Sequence, residues 1–188
     1  MAGTDLITWE QVKSILSMQD EDQTTTQFII SSVSEQARGI MGRNIVLDSL
    51  EEVRHGTGLS TLLLEEYPVK TVSALYIDTG YQYGAESLID QTDYFVNKKI
   101  GQIELFWRTF PKRNFGRSVK IVYEAGFDTV PADIQQAALE SVRWNYDRIL
   151  YDGIGVKNEK AEGVSKSFEV RIPTNAREIF QSYKRPNV

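Results

Sequence analysis

The sequence predicts an α+β fold, a helical core carrying an inserted small, mostly antiparallel β-region. Three observations carry this. Apolar residues at helical spacing behind capping signals occupy the first 41 residues; β-branched runs separated by turn residues occupy the middle; one long helical pattern follows Pro131. The expected division is a body over residues 1–153, with the β-insertion at about 45–126, and a flexible linker and C-terminal arm with a short helix over 154–188.

Thr8-Trp9-Glu10-Gln11 has the form of a capping box, in which hydroxyl and amide side chains each satisfy an orphan backbone N–H. A short helix is expected through Leu16, with Trp9, Val12, Ile15 and Leu16 as its apolar face. Residues 19–23 are polar and acidic and read as a loop, and Thr24-x-x-Gln27 has the form of a second capping box. The helix behind it is expected to reach Met41, with Phe28, Ile29, Val33, Ala37, Ile40 and Met41 on one face and Gly42 ending it.

The texture then changes. Residues 47–55 alternate loosely, Gly56-Thr57-Gly58 signals a turn, residues 61–64 form a short apolar run, and residues 69–77 read as a strand. Asp78-Thr79-Gly80 is turn chemistry, and residues 81–91 read as an irregular loop. Residues 94–96 and 102–105 read as two strands joined at Ile100-Gly101. Val119-Lys120-Ile121-Val122-Tyr123 is the clearest strand, because three of its five residues are β-branched. The long helix over 130–152 follows. Pro131 suits its first turn, where an N–H would lack a partner anyway, and Asp133 favours the helix dipole. Ile134, Ala137, Ala138, Val142, Tyr146, Ile149 and Leu150 recur at helical spacing before Gly153, the expected C-cap. Residues 154–167 read as a flexible connection and 168–172 as a short strand or extended arm. A last amphipathic helix is expected after Pro173, with Ala176, Ile179, Phe180 and Tyr183 on one side.

Composition narrows the chemistry. The 188 residues are long enough to bury a core without covalent staples. There is no cysteine, which excludes disulfides, thiolate metal sites and cysteine nucleophiles. Net charge is −5, whereas a general nucleic-acid binder is usually basic. No apolar run approaches the length that spans a bilayer, so no membrane partner is expected. The first residues lack a basic region followed by an apolar core, which argues against a signal peptide.

His55 is the only histidine, sits in a polar stretch and has no Gly-x-Ser-x-Gly elbow to serve, so it reads as a surface residue. One histidine without cysteine leaves zinc only carboxylates, so no metal is expected. Glu51-Glu52 and Glu65-Glu66 could suggest a glycosidase pair, but neighbours in a strand point to opposite faces. Asp20, Glu21 and Asp22 lack the spacing of a calcium loop, and Gly56-x-Gly58 lacks the rest of a nucleotide motif. No catalytic residue and no cofactor is expected.

Residues 106–120 stand apart. They hold Arg108, Lys112, Arg113, Arg117 and Lys120, four aromatics including Trp107 and Phe115, and no acid. Basic residues interleaved with aromatics can grip single-stranded nucleic acid, and arginine with aromatics is equally the composition of protein interface cores. The bland reading is a loop whose aromatics pack on the body and whose charges are solvated. A nucleic-acid-binding accessory role through this stretch is the alternative function.

Several segments, in order, resemble the head–tail connector (adaptor, or head completion) proteins of tailed bacteriophages, and the head–tail joining proteins of prophages and gene transfer agents. They are Leu6-Ile7-Thr8-Trp9-Glu10-Gln11-Val12-Lys13, the helix ending Ile40-Met41-Gly42-Arg43, and Tyr67-Pro68-Val69-Lys70-Thr71-Val72 with Leu75-Tyr76-Ile77-Asp78-Thr79-Gly80. Asp93-Tyr94-Phe95-Val96, Gly101-Gln102-Ile103-Glu104-Leu105 and Val130-Pro131-Ala132-Asp133-Ile134-Gln135-Gln136-Ala137 continue the series. Together they cover most of residues 6–152; the ending Ile179-Phe180-x-x-Tyr183-Lys184-Arg185 is similar to tails of longer members.

The resemblance implies a non-enzymatic role in the virion neck, with assembly in the host cytoplasm. It implies a ring, typically dodecameric, formed from chains that can be monomeric when free. The implied partners are the portal protein, further copies of the chain, a stopper or tail-completion protein, and genomic DNA that passes through the channel without sequence-specific binding. An acidic balance suits a channel in which DNA slides, since a basic lining would hold phosphates. A linker, an alternating segment and an amphipathic helix can wrap a partner and order on binding. Phe168, Val170, Ile172, Ile179, Phe180 and Tyr183 are therefore the expected portal or subunit contacts. Trp107, Arg108, Lys112, Arg113, Phe115 and Arg117 are the expected interface or DNA-facing loop.

Overall fold

The computed structural model describes residues 5–112, 116–150, 158–161, 164–167 and 172–184. Four helices and small antiparallel sheets give the α+β architecture expected, in two compact units: Met1–Ile45 with Thr129–Val188, and Val46–Asp128.

In the helical unit, α1 (Trp9–Leu16) starts at its capping box. Gln11 N–H donates to Thr8 Oγ1 at 3.3 Å, and Thr8 N–H donates to Gln11 Oε1 at 2.8 Å. Trp9 and Val12 are buried, but Ile15 is 62% exposed, against the expected face. The second capping box does not form. A 3-10 turn at Asp20–Asp22, braced by Gln19 N–H on Asp22 Oδ2 (3.2 Å), runs directly into α2 (Gln23–Met41), so Thr24 already lies inside the first turn. The buried stripe of α2 is Thr26, Ile29, Ile30, Val33, Ser34, Ala37 and Met41. Phe28 lies off this stripe and is 73% exposed, and Ile40 is only half-buried. Gly42 ends the helix with φ +66°, its N–H on the Arg38 carbonyl at 2.8 Å.

The third helix, α3 (Ala132–Leu150), begins one residue after Pro131, whose carbonyl accepts the Gln135 N–H at 3.0 Å. Ile134, Ala137, Ala138, Ser141 and Val142 are fully buried; Tyr146 is half-buried and Ile149 is at the surface. Gly153 lies outside the described residues. The short α4 (Thr174–Ser182) packs on α2 and α3.

The second unit holds β1 (Asp48–Arg54), β2 (Thr61–Leu63), β3 (Val69–Ile77), β4 (Tyr94–Asn97), β5 (Gln102–Leu105) and β6 (Val119–Ala125). The strands pair antiparallel in two sheets, ordered β1-β6-β3 and β2-β5-β4. The central strand β6 alternates cleanly and turns Val119, Ile121, Tyr123 and Ala125 inward, where they join Leu62, Leu75, Tyr94, Ile103, Leu105 and Phe110 in one core. The loop expected over 81–91 contains a 3-10 turn at Ala85–Ser87 and runs back along β3, with Ile89 N–H on the Leu75 carbonyl at 2.8 Å. The two ends of the unit are stitched together: Val46 and Phe127 form a parallel bridge, and Leu47 N–H donates to the Phe127 carbonyl at 3.2 Å. Gly126 makes this possible, because at φ +114° a Cβ would stand 2.6 Å from the Val46 carbonyl oxygen.

The stretch read as a flexible connection contains two further strands, β7 (Asn158–Ala161) and β8 (Val164–Ser167), paired antiparallel from Asn158↔Ser167 to Ala161↔Val164.

A candidate assembly surface

The paired carboxylates separate as their strand demands. Glu51 faces out and pairs with Lys120 at 3.0 Å. Glu52 turns inward, accepts the Tyr123 hydroxyl, and also takes the Glu65 N–H at 2.7 Å and Arg54 at 3.2 Å. Burial, then the bond to Glu52, pushes the Tyr123 hydroxyl well above its ordinary range. This carboxylate is a structural hub, tied on every side and closed to a substrate. His55 lies at the surface. Among the described residues no group of His, Asp and Glu side chains could hold a metal ion, and no helix is long and apolar enough to cross a membrane.

The C-terminal residues singled out by sequence have mixed fates. Phe168 and Val170 lie outside the described residues. Ile172 and Phe180 are buried, with Ala176 between them, in the core of the helical unit. Ile179 and Tyr183 are half-buried. The Tyr183 hydroxyl donates to the Asp133 carboxylate at 2.9 Å, and the Tyr183 carbonyl accepts Arg43 Nε at 2.9 Å. Burial and that carboxylate raise the Tyr183 hydroxyl above its usual value. Amphipathicity correctly marked this helix as having an apolar face; the face is turned into the chain's own core.

The basic and aromatic stretch divides as well. Phe106 N–H donates to the Asp93 carbonyl at 3.0 Å, extending the β4–β5 ladder by one pair. Phe110 is fully buried and exchanges two backbone bonds with the opposite segment, its N–H on the Leu59 carbonyl (2.8 Å) and its carbonyl on Gly58 N–H (2.7 Å). Residues 107–109 bulge outward between these two anchors, and Trp107 is 87% exposed. Phe95 stands opposite Glu104 on the outer face of the ribbon, so Phe106 is its diagonal neighbour; the two are 55% and 51% exposed. Arg108 pairs with Asp93 at 3.7 Å, whereas Lys112 and Arg117 are exposed and form no ion pair among the described residues. Arg113 and Phe115 lie outside the described residues.

Phe95 was not singled out by sequence. The only signal available was that Tyr94 and Phe95 are adjacent in a strand, so one of them had to face outward. A second anchor was equally hidden. Asp78 holds the 78–83 loop by accepting the N–H groups of Gly80, Gln82 and Tyr83 at 2.7–2.8 Å, which keeps its carboxyl below the ordinary range. Tyr83 then donates to the Arg117 carbonyl, and its ring lies 5.9 Å from Lys120 Nζ.

Residues 5–186 match the head completion protein family. No curated protein matches the chain. Among solved structures, the chain is similar to a chain in the neck of an empty gene transfer agent particle computed with C6 symmetry. The TM-score is 0.68 at 14% identity, covering 100% of this chain and 94% of that one. It is also similar to a chain in the native neck computed with C12 symmetry (TM-score 0.60, 15% identity, 98% and 95% covered). A chain from the native gene transfer agent virion matches in the same way (TM-score 0.67, 14% identity, 97% and 91% covered).

Proposed function

Because the chain belongs to the head completion protein family, we propose that it is a structural component of the virion neck, assembling as a ring beneath the portal that joins head to tail and extends the DNA channel. The observation that carries this reading is the extent of the match. It runs from residue 5 to residue 186, and so takes in the helical unit, the β-unit and α4 alike. The chains of similar fold come from necks computed with sixfold and twelvefold symmetry, which supports a closed ring of copies.

In this reading the role is structural and needs no cofactor. The partners are the portal, further copies of the chain, a stopper or tail-completion protein, and DNA that slides past without sequence-specific contact. The C-terminal residues 168–185 engage the portal or a neighbouring subunit. Since Ile172 and Phe180 hold α4 in the core, that contact falls to the half-buried Ile179 and Tyr183 and to the residues around them.

The test is mass by light scattering, for the chain alone and mixed with the portal of the same particle, with negative-stain images of any large species. A multi-copy ring, alone or on the portal, is expected. A chain that remains monomeric in the presence of that portal overturns the reading.

A further inference from the structure

One sheet edge of the β-unit is left open. In an antiparallel pair, hydrogen-bonded residues alternate with residues whose N–H and C=O groups face the other way. Phe106 N–H on the Asp93 carbonyl (3.0 Å) makes 93 and 106 a bonded pair, so Phe95↔Glu104 is the next one along β4. Leu105 agrees: its N–H donates to the Ser60 carbonyl at 2.8 Å, on the β2 side, and so is not spent on Tyr94. Tyr94 and Val96 therefore each point an N–H and a C=O away from β5, and no strand pairs with β4 on that side. Lys98 is the next residue in this alternation, and its carbonyl does face β3, accepting Val69 N–H at 2.7 Å.

Beyond that one bond β3 and β4 part. The 88–89 segment covers β3 again at Leu75 and Tyr76. The open stretch is a groove of about 320 Å³, lined by Thr71 and Val72 of β3, Tyr94 and Val96 of β4, and Gln91 and Lys98. Tyr94 belongs to the core of the unit, and the half-buried Val72 and Val96 pack against it, which makes an apolar floor. Thr71 and Gln91 are exposed and form a polar rim. Unpaired edge groups beside an apolar floor are the two parts of a strand-addition site: the backbone gives affinity and the floor selects alternate side chains.

We propose that this groove takes a single extended segment of another neck protein, which adds to β4 as a further strand and sets apolar side chains at alternate positions on Val72 and Val96. The backbone selects the conformation, because donors and acceptors that recur every second residue are matched by an extended chain. The walls select a lone segment, because β3 lines the far side and leaves no room for the edge of a folded sheet. A second copy of this chain fits poorly. Setting β4 against β4 is an isologous pairing that stops at two copies, and each strand among the described residues already has its place in a sheet. A bound strand also removes the hazard that an open edge presents. This inference rests on the neck reading above and names how a neighbouring component is held.

Amide exchange read residue by residue tests it, on wild-type chain alone and on chain assembled with the portal and the tail-completion protein of the same particle. In the free chain the Phe95 amide, bonded within the ladder, exchanges slowly, and those of Tyr94 and Val96 exchange fast. In the assembled neck the Tyr94 and Val96 amides slow by about tenfold or more. Val96→Pro removes one outward N–H at an edge position, whereas Val96→Ile keeps it. The first weakens the partner's binding about tenfold and the second leaves it within about twofold. If Val96→Pro does not fold, the wild-type exchange rates decide. Tyr94 and Val96 amides that stay fast in an assembled neck, or an isoleucine variant that binds as weakly as a folded proline variant, overturn the inference and leave the neck reading standing. Slowing that already appears in multi-copy species of the chain alone makes the occupant a second copy and overturns it as well. Wild-type chain that joins no neck component overturns both readings.

Discussion

Two stretches of this chain set aromatic side chains beside basic ones, and they end in opposite places. Around α4, Ile172, Ala176 and Phe180 are driven into a core built by α2 and α3. At the end of β5, Phe106 and Trp107 stay in solvent while Phe110, four and three residues on, takes the buried position. The difference lies in what stands opposite. A helix with one apolar stripe finds the wide, small-residue face of α3 and buries against it. A ribbon edge has already given its alternate residues, Tyr94, Ile103 and Leu105, to the core, so its other face has nothing left to cover it. Exposed aromatics on a ribbon are thus better evidence of a partner than buried ones on a helix.

The largest expected effect falls on the buried side of this contrast. Phe180→Ala removes a fully buried ring and should destabilise the helical unit by about 3–5 kcal/mol, read from denaturant unfolding. A loss under 1 kcal/mol would mean that α4 is dispensable to that core. Next comes Tyr123→Phe in the β-unit, which removes the hydroxyl that Glu52 accepts and should cost about 2 kcal/mol, as for other bonds to charged groups.

The same tyrosine sets an alkaline limit. Its hydroxyl titrates higher in the folded chain than its ordinary value of about 10, so the neutral form is the one the fold favours. The stabilisation is complete below pH 10 and is lost as pH rises through the folded-state value. Melting temperature should therefore be level up to about pH 10 and fall above it, and Tyr123→Phe should flatten that fall. Tyr183→Phe, which frees the Asp133 carboxylate at a more open site, should cost about 1 kcal/mol. Smallest of all is Trp107→Ser. With 87% of the residue already in solvent, unfolding free energy should move by no more than about 0.5 kcal/mol. A large loss there would show that Trp107 belongs to the fold and would dissolve the contrast.

Much of the architecture was legible in the residues. The Thr8 capping box, the Gly42 terminus and the alternation of β6 all rest on local chemistry and appear where the pattern places them. The failures are tertiary. Phe28, counted on the apolar face, lies on the opposite side of α2 from the stripe of Ile29, Ile30, Val33 and Ala37 and faces solvent, whereas Ile30 within that stripe is fully buried. Thr24 had the right spacing for a cap and lost it to the turn braced by Gln19 and Asp22. The candidate surface was half visible: Trp107 and its basic neighbours stood out by composition, while Phe95 entered only through the register that sets it opposite Glu104.

The stitched ends of the β-unit carry a consequence for descent. Residues 46–128 leave the helical chain and return to it through one doorway, where Val46 and Phe127 lie side by side. A segment that starts and finishes at one point can be lengthened, shortened or exchanged without moving the chain that hosts it. Relatives of this protein can thus keep one helical frame while carrying different cassettes, and the surface offered to a neighbour can be replaced whole.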